Sequence, residues 1–170
     1  EEMHKTRRMA ALQARAFAQA GYTVLQVDLT GCGDSAGDFE DASIERWQDD
    51  IVAAHGWLAQ HHPGPLTLWG LRTGALLATL AAKHLPDLAS LILWHPVTHG
   101  EVFLNQFLRI RLVGELLSSP KQLQSSAKAL HAHLSSGHGV EIGGYMLSPA
   151  MAEQLARSRF PEDPPAAKII

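Results

Sequence analysis

Cysteine is almost absent from this chain of 170 residues, which contains only Cys32. A single thiol cannot form an internal disulfide, so we expect a reducing compartment such as the cytoplasm. A strong charge of one sign is also absent, because 14 basic and 17 acidic residues leave a formal net charge of −3. Nucleic acids and anionic membrane surfaces attract clustered basic residues, so we expect neither as a partner.

Long apolar runs are missing too. No stretch of the sequence reaches the roughly 20 apolar residues that a membrane-spanning helix needs, so we expect no span. The ten histidines do not form a metal pattern, since pairs such as His61-His62 and His131-x-His133 lack carboxylate or cysteine partners at ligand spacing. We therefore predict no metal site, and nothing in the sequence indicates an organic cofactor.

The composition that remains is that of a globular domain. Apolar residues make up 46% of the chain and charged residues 18%, which is enough for one domain with a real core. The chain begins at Glu1 without a methionine, so we expect both of its ends to lie inside a longer domain. A signal peptide upstream and the oligomeric state are left open.

Strand-like and helix-like segments alternate through the first part of the chain. The predicted elements are helices at 3–20, 43–61 and 75–84 and strands at 22–28, 66–69 and 90–94. The strand at 22–28 is expected to be buried on both faces because it is short and β-branched. Alternation of this kind predicts an α/β fold, with parallel strands joined by right-handed crossovers.

The alternation of strand-like and helix-like segments ends after residue 97. The predicted elements there are helices at 101–117, 125–135 and 149–157 and a short extended piece at 140–145. A helical insertion between two strands of a sheet is typical of a lid. We therefore divide the chain into an incomplete core at 1–97, a helical cap at 98–160 and the start of the next core strand at 161–170. The alternative left open is that these helices extend the core.

Residues 70–74 read Gly-Leu-Arg-Thr-Gly, the pattern of a nucleophile elbow with arginine at the position of the nucleophile. The predicted strand before them and the predicted helix after them are the context that such an elbow requires. Serine at this position attacks acyl carbons. The guanidinium of Arg72 stays protonated and has no lone pair, so acyl transfer through residue 72 is excluded.

Two interpretations of Arg72 are open. It can fill the vacated pocket and pair with Glu1 or Glu2, because an unpaired buried charge costs several kcal/mol. It can instead bind the carboxylate, phosphate or sulfate of a ligand through its bidentate fork. Both interpretations of Arg72 hold if the ligand and a carboxylate of the protein compete for its guanidinium. Independently of this choice, the backbone N–H of Thr73 would be an oxyanion donor where the elbow geometry is kept.

Other stretches of the sequence carry a resemblance to a known family. Residues 21–25 and the loop Gly31-Cys-Gly-Asp-Ser-Ala-Gly37 resemble the strand and loop that precede the elbow in α/β-hydrolases of the serine-aminopeptidase and esterase-like group. More narrowly, several stretches resemble the exosortase A system-associated hydrolases of the second type: residues 1–3 with Lys5, Arg7 and Arg8, residues 69–72 with 74–78, residues 93–97 and residues 143–149.

The resemblance implies an α/β-hydrolase fold with a mostly parallel sheet, helices on both of its faces and a helical cap, truncated at both ends. It implies a bacterial hydrolase of an ester-like or acylated small molecule in exopolysaccharide or surface-protein metabolism. The oxyanion loop would precede Glu1, and the acid and histidine of a triad would follow Ile170. The alternatives are an inactive binding protein that uses Arg72 to hold an anionic ligand, and a partner protein that docks through Phe103, Phe107, Leu108 and Ile110.

Cys32 and His95 complete the candidate ligand-binding set of Arg72, Glu1 and Glu2. Both follow predicted strands, and ligands collect at the carboxyl ends of strands in open α/β sheets. We favour Cys32 as a small turn residue between two glycines, since a reactive thiol needs a lowered pKa and a nearby histidine. His95 either lines the pocket or closes the end of its strand before Pro96.

Overall fold

The computed structural model of the protein describes residues 2–118, 126–164 and 168–170, without the side chains of residues 2–5, 116 and 118. Three parallel strands form the main sheet: β1 (Leu66–Leu71), β2 (Leu88–Trp94) and β5 (Lys168–Ile169), in the order β1-β2-β5. β1 and β2 pair in register from Thr67 with Ser90 to Leu71 with Trp94. The carboxyl ends of these two strands therefore lie side by side.

Helices α1 (Glu2–Gln19), α2 (Ile44–His61) and α3 (Thr73–Ala82) accompany this sheet. The N-cap of α2 is Ser43, whose side-chain oxygen accepts a hydrogen bond from the Arg46 N–H at 3.0 Å. This is the usual way in which an N-cap satisfies a free helix donor. α3 is buried along most of its length because it packs between the sheet and the other helices. The predicted α/β-hydrolase fold class is confirmed.

The strand predicted over residues 22–28 is wrong for the described structure. Residues 22–29 have no regular secondary structure, and the apolar side chains of residues 22–27 are exposed, including Tyr22 at 67% and Val27 at 44%. A strand is stabilised by the ladder that it forms with a neighbour, and the described residues supply no neighbour for this segment. The β-branched composition alone does not form a strand.

The part of the chain after residue 97 forms α4 (Gly100–Ser118), α5 (Ala127–Ser135) and α6 (Pro149–Arg157). An antiparallel hairpin of β3 (Val140–Ile142) and β4 (Tyr145–Leu147) lies between α5 and α6. The hairpin turns at Gly143 and Gly144, which both have positive φ. None of the described helices is both long enough and apolar enough to cross a membrane.

The helices after residue 97 share a hydrophobic core with α2 and α3. Its buried members include Ile44, Leu77, Leu104, Leu108, Leu130, Met151 and Leu155. Leu108 is 0% exposed, so the docking face predicted from Phe103, Phe107, Leu108 and Ile110 is wrong as one surface, because the face of α4 that carries Leu108 packs inward. The division of the chain at residues 97 and 160 stays a prediction.

Candidate functional site

Arg72 lies at the tip of the turn between β1 and α3, with φ 53° and ψ −115°. A non-glycine residue in this backbone region is strained, by about 1–3 kcal/mol. The turn is held by hydrogen bonds on both sides: Arg72 N–H donates to the Trp94 carbonyl at 2.9 Å, and the Arg72 carbonyl accepts from Ala75 N–H at 3.0 Å. The predicted position of residue 72 at a strand-to-helix turn is thus observed, and its role stays a prediction.

Gly70 makes this turn sterically feasible. A Cβ at residue 70 would lie 2.4 Å from the Gly74 carbonyl oxygen and 2.6 Å from the Ala75 Cα. Only glycine therefore lets the end of β1 approach the start of α3 so closely. Gly74, by contrast, has no atom within 4 Å of such a Cβ, so the second glycine of the motif is not required by packing.

His95 occupies a second strained turn next to the first. It follows β2 with φ 46°, and among the described residues only Arg72 shares a positive φ without being glycine. The two turns are joined, since Val97 N–H donates to the Arg72 carbonyl at 3.3 Å. Side by side at the carboxyl ends of β1 and β2, they occupy the place where open α/β sheets bind ligands.

A cavity of about 190 Å³ lies beside these turns. Arg72, His95, Thr98 and His99 supply polar lining, and Val102 and Phe103 from the start of α4 supply apolar lining. The half-buried Arg72 guanidinium donates to Nδ1 of the exposed His95 ring at 3.5 Å. No carboxylate from the described part of the chain lines the cavity, so its charged lining favours anions.

Thr73 is the first residue of α3, so its N–H is one of the leading donors that have no acceptor within the helix. These donors and the helix dipole favour negative charge near the turn. The Thr73 hydroxyl is buried and has no hydrogen-bond partner among the described residues. Thr73 is not among the residues that line the cavity, which argues against its hydroxyl as a nucleophile.

The loop from Gly31 to Gly37 is closed by Asp28. One carboxylate oxygen of Asp28 accepts from Asp34 N–H and from the Arg7 guanidinium, each at 3.1 Å, while its carbonyl accepts from the Ser35 hydroxyl. A Cβ at Gly33 would lie 2.2 Å from the same carboxylate. Asp28 therefore binds both the Asp34 N–H and the Ser35 hydroxyl of this loop.

Cys32 is half-buried in this loop, and its N–H donates to the Leu29 carbonyl at 2.8 Å. Burial and the neighbouring Asp28 and Asp50 carboxylates raise the pKa of the Cys32 thiol. A raised pKa lowers the fraction of thiolate, which is the reactive form. Cys32 does not line the described cavity, and its predicted part in ligand binding stays a prediction.

Sequence reasoning missed two sets of residues, one at Thr30 before the Gly31 to Gly37 loop and one that lines the cavity. The Asp50 carboxylate accepts from Thr30 N–H at 2.8 Å and from its hydroxyl at 3.1 Å, and Trp47 Nε1–H donates to the Thr30 carbonyl at 2.9 Å. The spacing of Trp47 and Asp50 on one face of α2 is a sequence signal for this bracing. Thr98 and His99 carried no signal, because they lie in a loop without periodicity.

Glu1 and the side chain of Glu2 lie outside the described residues, so their pairing with Arg72 stays a prediction. Within the described ranges, no group of three or more His, Cys, Asp or Glu side chains is arranged to hold a metal ion.

The fold and the elbow at Arg72 are those of an α/β-hydrolase, and comparison with known proteins gives the family. The profile of the serine aminopeptidase S33 family matches residues 3–136, and the chain belongs to this family of α/β-hydrolases. A thermostable monoacylglycerol lipase from Bacillus sp. (strain H-257) is 33% identical over 79 residues, which cover 46% of this chain and 31% of the lipase.

A solved structure of a metagenome-derived lipolytic enzyme, from a study of LipS and LipT, shares the fold with a TM-score of 0.53. It is 22% identical, and the match covers 86% of this chain and 56% of that enzyme. The chain thus spans about a third of the length of the lipase and about half that of the lipolytic enzyme. Hydrolases are therefore the proteins that this chain resembles in sequence and in fold.

Proposed function

We propose that this protein recognises an ester-like or acylated small molecule that carries an anionic group, and that Arg72 binds this group. The observation that carries the proposal is the Arg72 side chain at the tip of the elbow, lining the cavity with His95. An elbow presents the side chain at its tip to the substrate. Here that side chain is a donor of hydrogen bonds and a fixed positive charge.

The chemistry of the guanidinium selects the ligand group. Its planar fork matches a carboxylate, sulfate or phosphate, with two parallel charge-assisted hydrogen bonds. The first turn of α3 adds the favourable end of a helix dipole close to Arg72. The apolar side chains of Val102 and Phe103, which also line the cavity, suit the uncharged remainder of an acylated molecule.

The setting that we propose is exopolysaccharide or surface-protein metabolism in the bacterial cytoplasm, in association with an exosortase system. This part rests on the resemblance of residues 69–78, 93–97 and 143–149 and on the single cysteine in the sequence.

A second candidate function is slow hydrolysis of the bound ester without a covalent intermediate on residue 72. Two observations favour it: membership of the S33 family, and the Thr73 N–H at the start of α3, which is a candidate oxyanion donor. Enzymes that lose the nucleophile of a triad can retain some rate through binding and the oxyanion donors alone. Turnover of this kind shows no burst and no trapping by serine-directed phosphonate probes.

The test of binding compares hexanoate with its uncharged methyl ester on the full-length protein by calorimetry. We expect hexanoate to bind more tightly than the ester, and Arg72→Gln to weaken hexanoate binding about 10- to 100-fold, the value of hydrogen bonds to a charged group. Arg72→Lys keeps the charge but loses the fork, so it should restore only part of the affinity. Arg46→Gln, at an exposed position on α2, is the matched control. Equal binding of acid and ester by the wild type would refute the proposal.

The test of activity is an ester and thioester screen of the full-length wild type beside Arg72→Ser. We expect no covalent labelling of the wild type by a fluorophosphonate. Labelling of Arg72→Ser requires a histidine within hydrogen-bond reach of the new hydroxyl. Stoichiometric labelling of the wild type at Thr73 or Cys32 would instead establish a relocated nucleophile.

A further inference from the structure

The cavity has two walls that are held by different parts of the chain. The charged wall consists of Arg72 and His95, which lie on the joined turns after β1 and β2. The apolar wall consists of Val102 and Phe103, which belong to the first turn of α4. The position of the apolar wall relative to the charged wall therefore depends on what holds the start of α4.

Residues 158–160, directly after α6, hold the start of α4 through backbone hydrogen bonds. Gly100 N–H donates to the Ser158 carbonyl at 3.0 Å, and Phe160 N–H donates to the Thr98 carbonyl at 2.9 Å. Two such bonds in opposite directions are the unit of an antiparallel ladder. They fix the loop before α4 and the segment after α6 side by side.

The opposing pair of this bridge is His99 and Arg159, and both residues lead to the first turn of α4. His99 lines the cavity, and its carbonyl accepts from Phe103 N–H at 3.3 Å. The Arg159 guanidinium donates to the Glu101 carboxylate at 3.2 Å. Arg159 is not among the described residues that line the cavity, so any effect that it has on a ligand passes through α4.

The contact between the start of α4 and the end of α6 is also tightly packed. A Cβ at Gly100 would lie 2.9 Å from the Leu155 carbonyl carbon and 3.2 Å from the Ser158 carbonyl oxygen. Both are backbone atoms, which cannot turn away as a flexible side chain can. A methyl group at residue 100 would therefore push the first turn of α4 away from α6.

Given the ligand site proposed at Arg72, we infer that residues 158–160 determine ligand specificity, because they position the apolar wall against the uncharged part of the ligand. The anionic group is bound by Arg72, whose turn is held by hydrogen bonds with Trp94 and Val97. A weaker contact with residues 158–160 therefore costs affinity for the acyl part of the ligand and leaves binding of its anionic group intact. Arg159 is a positioning residue in this arrangement.

Hexanoate and acetate are suitable probes, because they share a carboxylate and differ only in methylene groups. Their affinities for the full-length protein are measured by NMR titration. Each methylene that becomes fully buried strengthens binding about fourfold, so the wild type should prefer hexanoate. We expect Gly100→Ala to lower the affinity for hexanoate about tenfold and to leave that for acetate within about twofold. Gly114→Ala, also on α4 but with no atom within 4 Å of its Cβ, is the matched control and should change neither affinity.

A second set of variants decides the question if Gly100→Ala does not fold. Arg159→Gln removes the ion pair with Glu101, which is largely exposed and contributes little to stability. We expect it to lower the affinity for hexanoate about two- to fivefold, with acetate unchanged, and Arg159→Lys to restore part of the loss. Arg157→Gln, which breaks an ion pair with Glu153 inside α6, is the matched control.

The two acids separate this inference from the proposed function. Equal losses of acetate and hexanoate affinity in these variants would show a general effect on the fold and overturn the inference. Wild-type affinities for both acids in Gly100→Ala and Arg159→Gln would overturn it too, and in both cases the anion site would stand. Arg72→Gln should weaken both acids alike. If it weakens neither, the proposed function is refuted, and this inference with it.

Discussion

Two glycine-rich turns of this molecule match patterns associated with catalysis, and they use their polar groups in opposite ways. In the loop from Gly31 to Gly37, the Asp34 N–H and the Ser35 hydroxyl donate to Asp28 and not to a cavity. The elbow at Arg72 also fixes its backbone by hydrogen bonds, but its guanidinium lines a cavity together with His95. Glycine spacing therefore predicts the conformation of a turn. Only the groups that remain directed at a cavity indicate what the turn can bind.

The largest effect that tests this comparison concerns the backbone of the elbow. Gly70→Ala places a Cβ 2.4 Å from the Gly74 carbonyl oxygen. This contact is with backbone, which can shift only at a cost in free energy. We expect it to lower the free energy of unfolding by about 3 kcal/mol or more. Gly74→Ala has open space at its Cβ and lies in α3, so it should be neutral or stabilise by up to about 1 kcal/mol. Urea denaturation measures both, and equal effects of the two variants would contradict the observed close approach.

The second prediction asks whether the loop around Cys32 is a structural brace. Asp28→Asn removes the charge that accepts from Arg7 and from Asp34 N–H, while it keeps the shape of the side chain. We expect a loss of about 1–2 kcal/mol in the free energy of unfolding, mostly from the backbone contact, because the ion pair with Arg7 is partly exposed. Asp87→Asn, at an exposed position, is the control.

The same variant separates the loop from the ligand site. If the Gly31 to Gly37 loop only braces the fold, Asp28→Asn should leave the affinity for hexanoate within about twofold of the wild type. A tenfold loss would mean that this loop takes part in binding, and the contrast between the two turns would fail.

Some parts of the chain could be predicted from the sequence more completely than others. Helical periodicity and the two glycines at residues 70 and 74 were sufficient for α1, α2, α3 and the elbow, because these features are local. The strand predicted at 22–28 was wrong, since a strand depends on a neighbour that no local pattern can supply. His99 reaches its position only through the packing of α4, so its place beside the elbow could not be predicted. The spacing of Trp47 and Asp50 on α2 was a signal for their contacts with Thr30, which sequence reasoning did not use.

A third prediction compares two buried hydroxyls of α3. The Thr79 hydroxyl donates to the Leu76 carbonyl at 2.7 Å, whereas the Thr73 hydroxyl has no partner within the described ranges. Replacing a buried, unsatisfied hydroxyl by a methyl group removes a desolvation cost. We therefore expect Thr73→Val to be neutral or to stabilise by up to about 1 kcal/mol, and Thr79→Val to destabilise by about 1 kcal/mol. Thermal denaturation of both variants tests this. A clear loss of stability in Thr73→Val would mean that its hydroxyl has a partner in the full-length protein.

The smallest expected effect concerns the reactivity of Cys32. Because burial and the Asp28 carboxylate raise the pKa of the thiol, the folded protein should react with iodoacetamide more slowly at neutral pH than the unfolded protein does. The rate should rise with pH, with its midpoint above the usual range of a thiol. Asp28→Asn removes a nearby negative charge, so it should lower this pKa and speed the reaction a few-fold, as measured by mass spectrometry of the Cys32 peptide. The unfolded proteins serve as the control and should react at the same rate. A folded wild type that reacts faster than its unfolded form would show an activated thiol, and the loop would then join the elbow as a candidate site of chemistry.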